Sequence, residues 1–187
     1  MLVNLQACEE FAARAHQGQT RNTGDATAPE VPYIVHPRAV RDILLHEHPD
    51  DEARAPWILA TALLHDVLED CLVTHQQISL AFGEDVSAAV RALSKELKAN
   101  PAAKKTDEQY WQVLAQSPLA VRQVKAADRI DNLRSCLKWR RDGIAGKYLV
   151  ETPRLVLPMI VEDPFLYATL AELLAEVRRM YAVPAPV

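Results

Sequence analysis

The chain is poor in glycine (5 residues), in aromatic side chains (6%) and in cysteine (3) over its 187 residues. Few β-branched runs alternate with polar residues, whereas alanine and leucine are plentiful, so the balance favours helices over sheets. Cys8, Cys71 and Cys136 are isolated, odd in number and without a Cys-x-x-Cys pair. That pattern excludes a disulfide framework and a cysteine zinc site. A basic surplus is also missing: 21 Lys and Arg stand against 25 Asp and Glu, for a net charge of −4. A dedicated DNA binder is therefore not expected. No apolar stretch approaches the ~20 residues of a membrane span. The N-terminus, MLVNLQACEEFAARAH, has no basic segment followed by an apolar core, so it does not read as a secretory signal. The expectation is one cytoplasmic domain over residues 1–187, with no DNA and no membrane partner and no oligomeric state specified.

What is present reads as an all-α bundle of about nine helices with no convincing strand. The spacing of Leu5, Cys8, Phe11, Ala12 and Ala15 predicts a first helix over Leu2–Gln17. A polar loop follows over Gly18–Pro32, long enough to suggest a functional segment. The second helix starts near Pro37, and the third runs from Pro49-Asp50-Asp51 through Val67. Thr74 caps a short helix ending at Gly83, and the next runs to about Leu97. Thr106–Gln116 is followed by a long helix from Pro118 through Leu137. Pro153 and Pro158 argue against one continuous α-helix in the last third, and Asp163-Pro164 opens a final helix to Met180.

Charged residues inside apolar helix faces are the exceptions that carry chemistry. In ATALLHDVLED, helical spacing places His65, Asp66, Glu69 and Asp70 along one side of one helix end. Three carboxylates beside an imidazole repel one another unless a cation joins them. A solvated acidic helix end is the competing reading of that segment alone. His36 lies in the apolar stretch PYIVHP, and Asp128 interrupts the stripe of VKAADRIDNLR, with Asn132 one turn on. Two imidazoles and two carboxylates from separate helices suit a hard to borderline divalent ion such as Mn²⁺.

Four segments in order, AHQGQTR, PYIVHP, LLHDVLED and KAADRIDNLR, span residues 15–134. On them the chain resembles the HD superfamily of metal-dependent phosphohydrolases, with its H…HD…D pattern. Within it, the chain is most similar to the hydrolase domain of RelA/SpoT proteins and to stand-alone small alarmone hydrolases. The resemblance implies one Mn²⁺ ion held by His36, His65, Asp66 and Asp128, with Glu69 and Asp70 activating the attacking water. It implies removal of the 3′-pyrophosphate from ppGpp or pppGpp, giving GDP or GTP and pyrophosphate.

By the same match Arg21 and Asn132 are expected to contact the nucleotide, with Lys125, Arg129 and Ser135 as further candidates. His16 is expected to be structural, and His46, His48 and His75 exposed. Residues 143–187 are expected to add only helical packing, without room for a synthetase or regulatory domain. After Arg21 the family commonly has a second basic residue, where this chain has Asn22 and a longer loop to Val31. That departure keeps open another nucleotide, such as NADPH, and a catalytically silent nucleotide sensor.

Overall fold

The computed structural model describes residues 3–21, 30–139 and 142–181. Helix α1 (Leu5–Ala15) starts where the Asn4 side chain accepts the Ala7 N–H at 3.1 Å. Two short strands follow, β1 (Thr20–Arg21) and β2 (Val31–Pro32), paired antiparallel with Arg21 opposite Val31. The expectation of no strand is corrected here, because two residues per strand are too few for alternation to register. Of the Asn22–Val31 loop, residues 22–29 lie outside the described residues.

Helix α2 (Val35–Asp42) runs into a π-helical turn, Ile43–Glu47. After a 3₁₀ turn at Asp51–Arg54 comes α3 (Pro56–Leu64), buried at every position from Ile58 to Leu64. Around it pack α1, α2, α6 (Glu84–Leu93) and α8 (Leu119–Trp139). Such all-round burial explains why α3 is apolar on every face. One core cluster takes Leu59 and Ala62 of α3 with Val124, Ile130 and Leu133 of α8. The other takes Ala60, Leu63 and Leu64 with Cys8, Ile78 and Val90.

The single helix expected through Val67 is interrupted. At His65-Asp66 the α3 ladder stops, and a one-turn helix α4 (Val67–Asp70) begins with Asp66 as its cap. α5 (His75–Phe82) begins in a reciprocal cap between Thr74 and Gln77, and Gly83, at φ +96°, turns the chain into α6. α6 ends at Leu93 rather than near Leu97, where the Ser94 hydroxyl bonds the Val90 carbonyl at 2.8 Å. Thr106 and Gln109 cap α7 (Asp107–Gln116) in the same reciprocal way.

α9 (Asp142–Glu151) stops before Pro153, which sits in a π-helical turn, Thr152–Val156, ahead of the short α10 (Leu157–Met159). A prolyl residue has no N–H for a regular ladder, and the widened turn absorbs the loss. α11 (Pro164–Met180) is capped by Asp163, whose carboxylate accepts the Leu166 N–H at 3.0 Å. His48 is buried, not exposed. Its Nδ1 accepts the Asp50 N–H, so Nε2–H donates to Asp163 at 2.8 Å and pins the end of the π-turn to the start of α11. His46 is exposed and His75 half-buried. Among the described residues no helix is long and apolar enough to cross a membrane.

Candidate active site

His36 stands in the first turn of α2, where the following Pro37 sacrifices no helix hydrogen bond. His65 and Asp66 occupy the α3–α4 break, and Asp128 the middle of α8. The packing of α2 and α8 on α3 brings the four together. His65 Nδ1 lies 2.7 Å from the Ala62 carbonyl oxygen, which can only accept. Nδ1 therefore carries a ring proton, which leaves Nε2 as the nitrogen that can coordinate once its own proton is displaced. His36 Nδ1 lies 2.7 Å from the Asp131 carboxylate, with the same consequence.

The two Nε2 atoms face each other at 3.3 Å, with no proton assigned to either by these bonds. Asp66 Oδ2 is 3.0 Å from His65 Nε2 and 3.5 Å from His36 Nε2. Asp128 Oδ1 is 3.1 Å from His36 Nε2 and 3.9 Å from His65 Nε2. With metal–ligand bonds of about 2.1 Å, adjacent ligand atoms stand about 3.0 Å apart on an octahedron and about 3.4 Å on a tetrahedron. The ligand atoms of His36, His65 and Asp66 all lie within 4.8 Å of one another, a spacing that can hold one divalent ion, and Asp128 Oδ1 stands beside them.

Without a cation these groups share protons. Burial pulls the His65 imidazolium down, yet Asp66 and Asp128 outweigh it and hold its pKa up at about 9. Burial raises Asp66, and the two imidazoles more than reverse that, leaving the carboxyl below its usual range. Asp128 is held well down against burial by Lys125, His36 and His65. The Lys125 ammonium donates to its Oδ2 at 2.9 Å and Asn132 to its Oδ1 at 2.5 Å.

Glu69 and Asp70 open onto the same cavity as Asp66. Glu69 accepts the backbone N–H of Lys95. That N–H is available because α6 has already ended, which ties an early helix stop to a carboxylate of the site. Burial, then repulsion from Asp66, raises the pKa of both carboxyls. A raised carboxylate is the better proton acceptor.

The cavity holds about 420 Å³. Arg21, Lys125, Arg129 and Asn132 line it, each already engaged by a protein partner. Arg21 pairs with Asp131 at 2.5 Å. Arg129 donates to Glu151 at 2.9 Å and lies 4.1 Å over the Tyr148 ring. Ser135 departs from expectation: it is buried, its hydroxyl bonds the Asp131 carbonyl at 2.9 Å, and it does not line the cavity. A serine one turn after Asp131 satisfies its hydroxyl on the helix backbone instead. Arg134 forms a surface pair with Glu47 at 2.7 Å.

Two residues escape the sequence reading. Tyr33 donates its hydroxyl to Asp66 Oδ2 at 2.6 Å, and burial with the Asp66 and Asp70 charges keeps the phenol protonated. Asp131 bonds both His36 and Arg21. The signals were a phenol inside an apolar run and a carboxylate three residues after Asp128. His16 is buried, stacks on Tyr33 with centroids 4.7 Å apart and donates to Gln19 at 2.8 Å, while Gln19 donates to the Asp70 carbonyl at 2.9 Å.

A family model described as HD domain matches residues 7–149. The guanosine-3′,5′-bis(diphosphate) 3′-pyrophosphohydrolase of Vibrio cholerae is 38% identical over 135 residues, covering 70% of this chain and 18% of that protein. The bifunctional (p)ppGpp synthase/hydrolase SpoT of Escherichia coli K12 is 36% identical over 135 residues, with the same shares of 70% and 18%. The chain thus spans under a fifth of the length of these curated relatives. A solved structure of a metazoan ortholog of SpoT, described as hydrolysing ppGpp, superposes with a TM-score of 0.69 at 26% identity, covering 96% of both chains.

Proposed function

The chain belongs to the HD-domain family, and from that premise we propose that it is a Mn²⁺-dependent phosphohydrolase converting ppGpp or pppGpp to GDP or GTP and pyrophosphate. The observation that carries this reading is the convergence of His36 Nε2, His65 Nε2, Asp66 Oδ2 and Asp128 Oδ1 beside Glu69 and Asp70 at one end of a cation-lined cavity. The named relatives support the choice of nucleotide. Residues 1–187 act in this reading as one HD-type unit.

His36, His65, Asp66 and Asp128 would hold one ion, which when bound would lower the pKa of a water and polarise the phosphate. Glu69 and Asp70 orient the attacking water and take its proton. The water oxygen bonds to the phosphorus esterified at the 3′-oxygen, and the bond from that phosphorus to the 3′-oxygen breaks. Pyrophosphate departs, and the 3′-oxygen ends as a hydroxyl. Lys125, Arg129 and Lys95 supply positive charge along the cavity wall, and Arg21 and Asn132, on the same wall, are the candidates to contact the nucleoside. Tyr148, with Arg129 over its ring, lines the same cavity.

The test is incubation of Mn²⁺-loaded protein with ppGpp, products separated by chromatography and EDTA as control. GDP and pyrophosphate in equal amounts, lost with EDTA, are expected. Bound but intact ppGpp on metal-loaded protein would replace the enzyme with a sensor, and turnover of NADPH alone would reassign the substrate.

A further inference from the structure

Arg21 reaches the metal-ligand cluster through an intermediary. It sits at the loop-side end of the β1–β2 pair, its backbone fixed opposite Val31 and its side chain almost wholly buried. Its guanidinium is 2.5 Å from Asp131 Oδ2 and donates to Asn132 Oδ1 at 3.4 Å. The same Asp131 oxygen accepts the His36 Nδ1 proton at 2.7 Å. His36 Nε2 then faces Asp66, Asp128 and His65.

Each link has a distinct physical role. Without an acceptor at Nδ1, the His36 proton is free to move to Nε2, where it blocks coordination. A carboxylate is a stronger acceptor than a neutral oxygen, and it also raises the ligand's basicity. Asp131 stands three residues after Asp128 on α8 and reaches the ligand cluster through His36. Arg21 pairs with the same carboxylate oxygen and fixes it against His36 Nδ1 without competing for the proton, since guanidinium stays ionised at any pH the fold tolerates.

We propose that Arg21 and Asp131 form a positioning relay for the metal ligand His36, so that Arg21 governs metal affinity separately from any contact it makes with the nucleotide. This rests on the four-ligand reading of the site above. It differs from a simple tie between the hairpin and α8, which predicts lost stability with unchanged metal binding. It differs equally from a pure substrate contact, which predicts a raised KM alone.

Mn²⁺ dissociation constants are to be measured by isothermal titration calorimetry on metal-free wild type, Asp131→Asn, Arg21→Ala, Arg21→Lys and the Asp131→Asn/Arg21→Ala double variant. Circular dichroism melts of the same proteins report folding. Asp131→Asn keeps the shape and one acceptor oxygen, and is expected to weaken binding about 10- to 100-fold. Arg21→Ala is expected to weaken it in the same direction by at least about threefold, with partial recovery in Arg21→Lys. The double variant is expected to bind no worse than Asp131→Asn alone, because the carboxylate that Arg21 holds in place is gone. Co²⁺ substituted into Asp131→Asn is expected to show a shifted visible absorption, as the donor strength of His36 changes. Wild-type affinity in both single variants, or strictly additive losses, overturns the relay. If Asp131→Asn does not fold, the Mn²⁺ affinity of Arg21→Ala decides alone. Wild type that binds no Mn²⁺ removes the four-ligand reading itself, and the relay with it.

Discussion

A carboxylate that accepts a backbone N–H is held in position yet keeps lone pairs for other work, and Glu69 is in that state against Lys95. Glu69→Gln keeps an acceptor for that N–H and loses the base. The expected outcome is full Mn²⁺ stoichiometry with turnover lowered about 10²- to 10⁴-fold, checked by metal analysis beside steady-state rates. Asp66→Ala and Asp128→Ala are expected to lose the metal as well, because each removes one of the four proposed ligands. Retained stoichiometry in both would remove them from the ligand set. The residues that converge at the site stood out in the sequence because charge inside an apolar run is costly unless something pairs with it. Tyr33 and Asp131 were not, since their partners come from distant parts of the chain and only packing brings them together. Ser135 shows the opposite failure: helical phase placed it near the site, but its hydroxyl is spent on the helix backbone.

Helix α8 is the element on which the site depends most. One face carries Asp128, Asp131 and Asn132, and the other buries Ile130 and Leu133 completely. Burying such a side chain contributes about 2–3 kcal/mol. Ile130→Ala leaves a void in the core beside the ligand-bearing turn, and is expected to lower stability by about 2–5 kcal/mol in urea unfolding. A change under about 1 kcal/mol would mean that the core around Ile130 collapses onto the void. The helices themselves were readable because apolar spacing and start signals recur; Thr74 caps α5 and Asp163-Pro164 opens α11 as the sequence suggests. Helix ends were less readable where the site intervenes. The α3–α4 break and the early stop of α6 place Asp66 and the Lys95 N–H, and neither carries a glycine or proline to announce it.

For the molecule as a whole, metal binding and folding are linked through protons. In the metal-free protein His65 titrates at about 9, against 6.5 for an unperturbed imidazole. A pKa raised by folding adds stability that is complete below the unfolded value and is lost as pH rises through the folded one. That contribution therefore declines between about pH 6.5 and 9 when no ion is present. An ion needs the Nε2 lone pair and must displace the proton, so Mn²⁺ affinity rises over the same interval. A ligand at 100 times its Kd stabilises a fold by about 2.7 kcal/mol, and a falling Kd at fixed Mn²⁺ enlarges that gain. The expected result in scanning calorimetry is a Tm rise on adding Mn²⁺ that is larger at about pH 8 than at about pH 6. EDTA should abolish the rise at both. An equal rise at both values would mean that no proton leaves the cluster when the ion enters, and would contradict the imidazolium state of His65 in the metal-free protein.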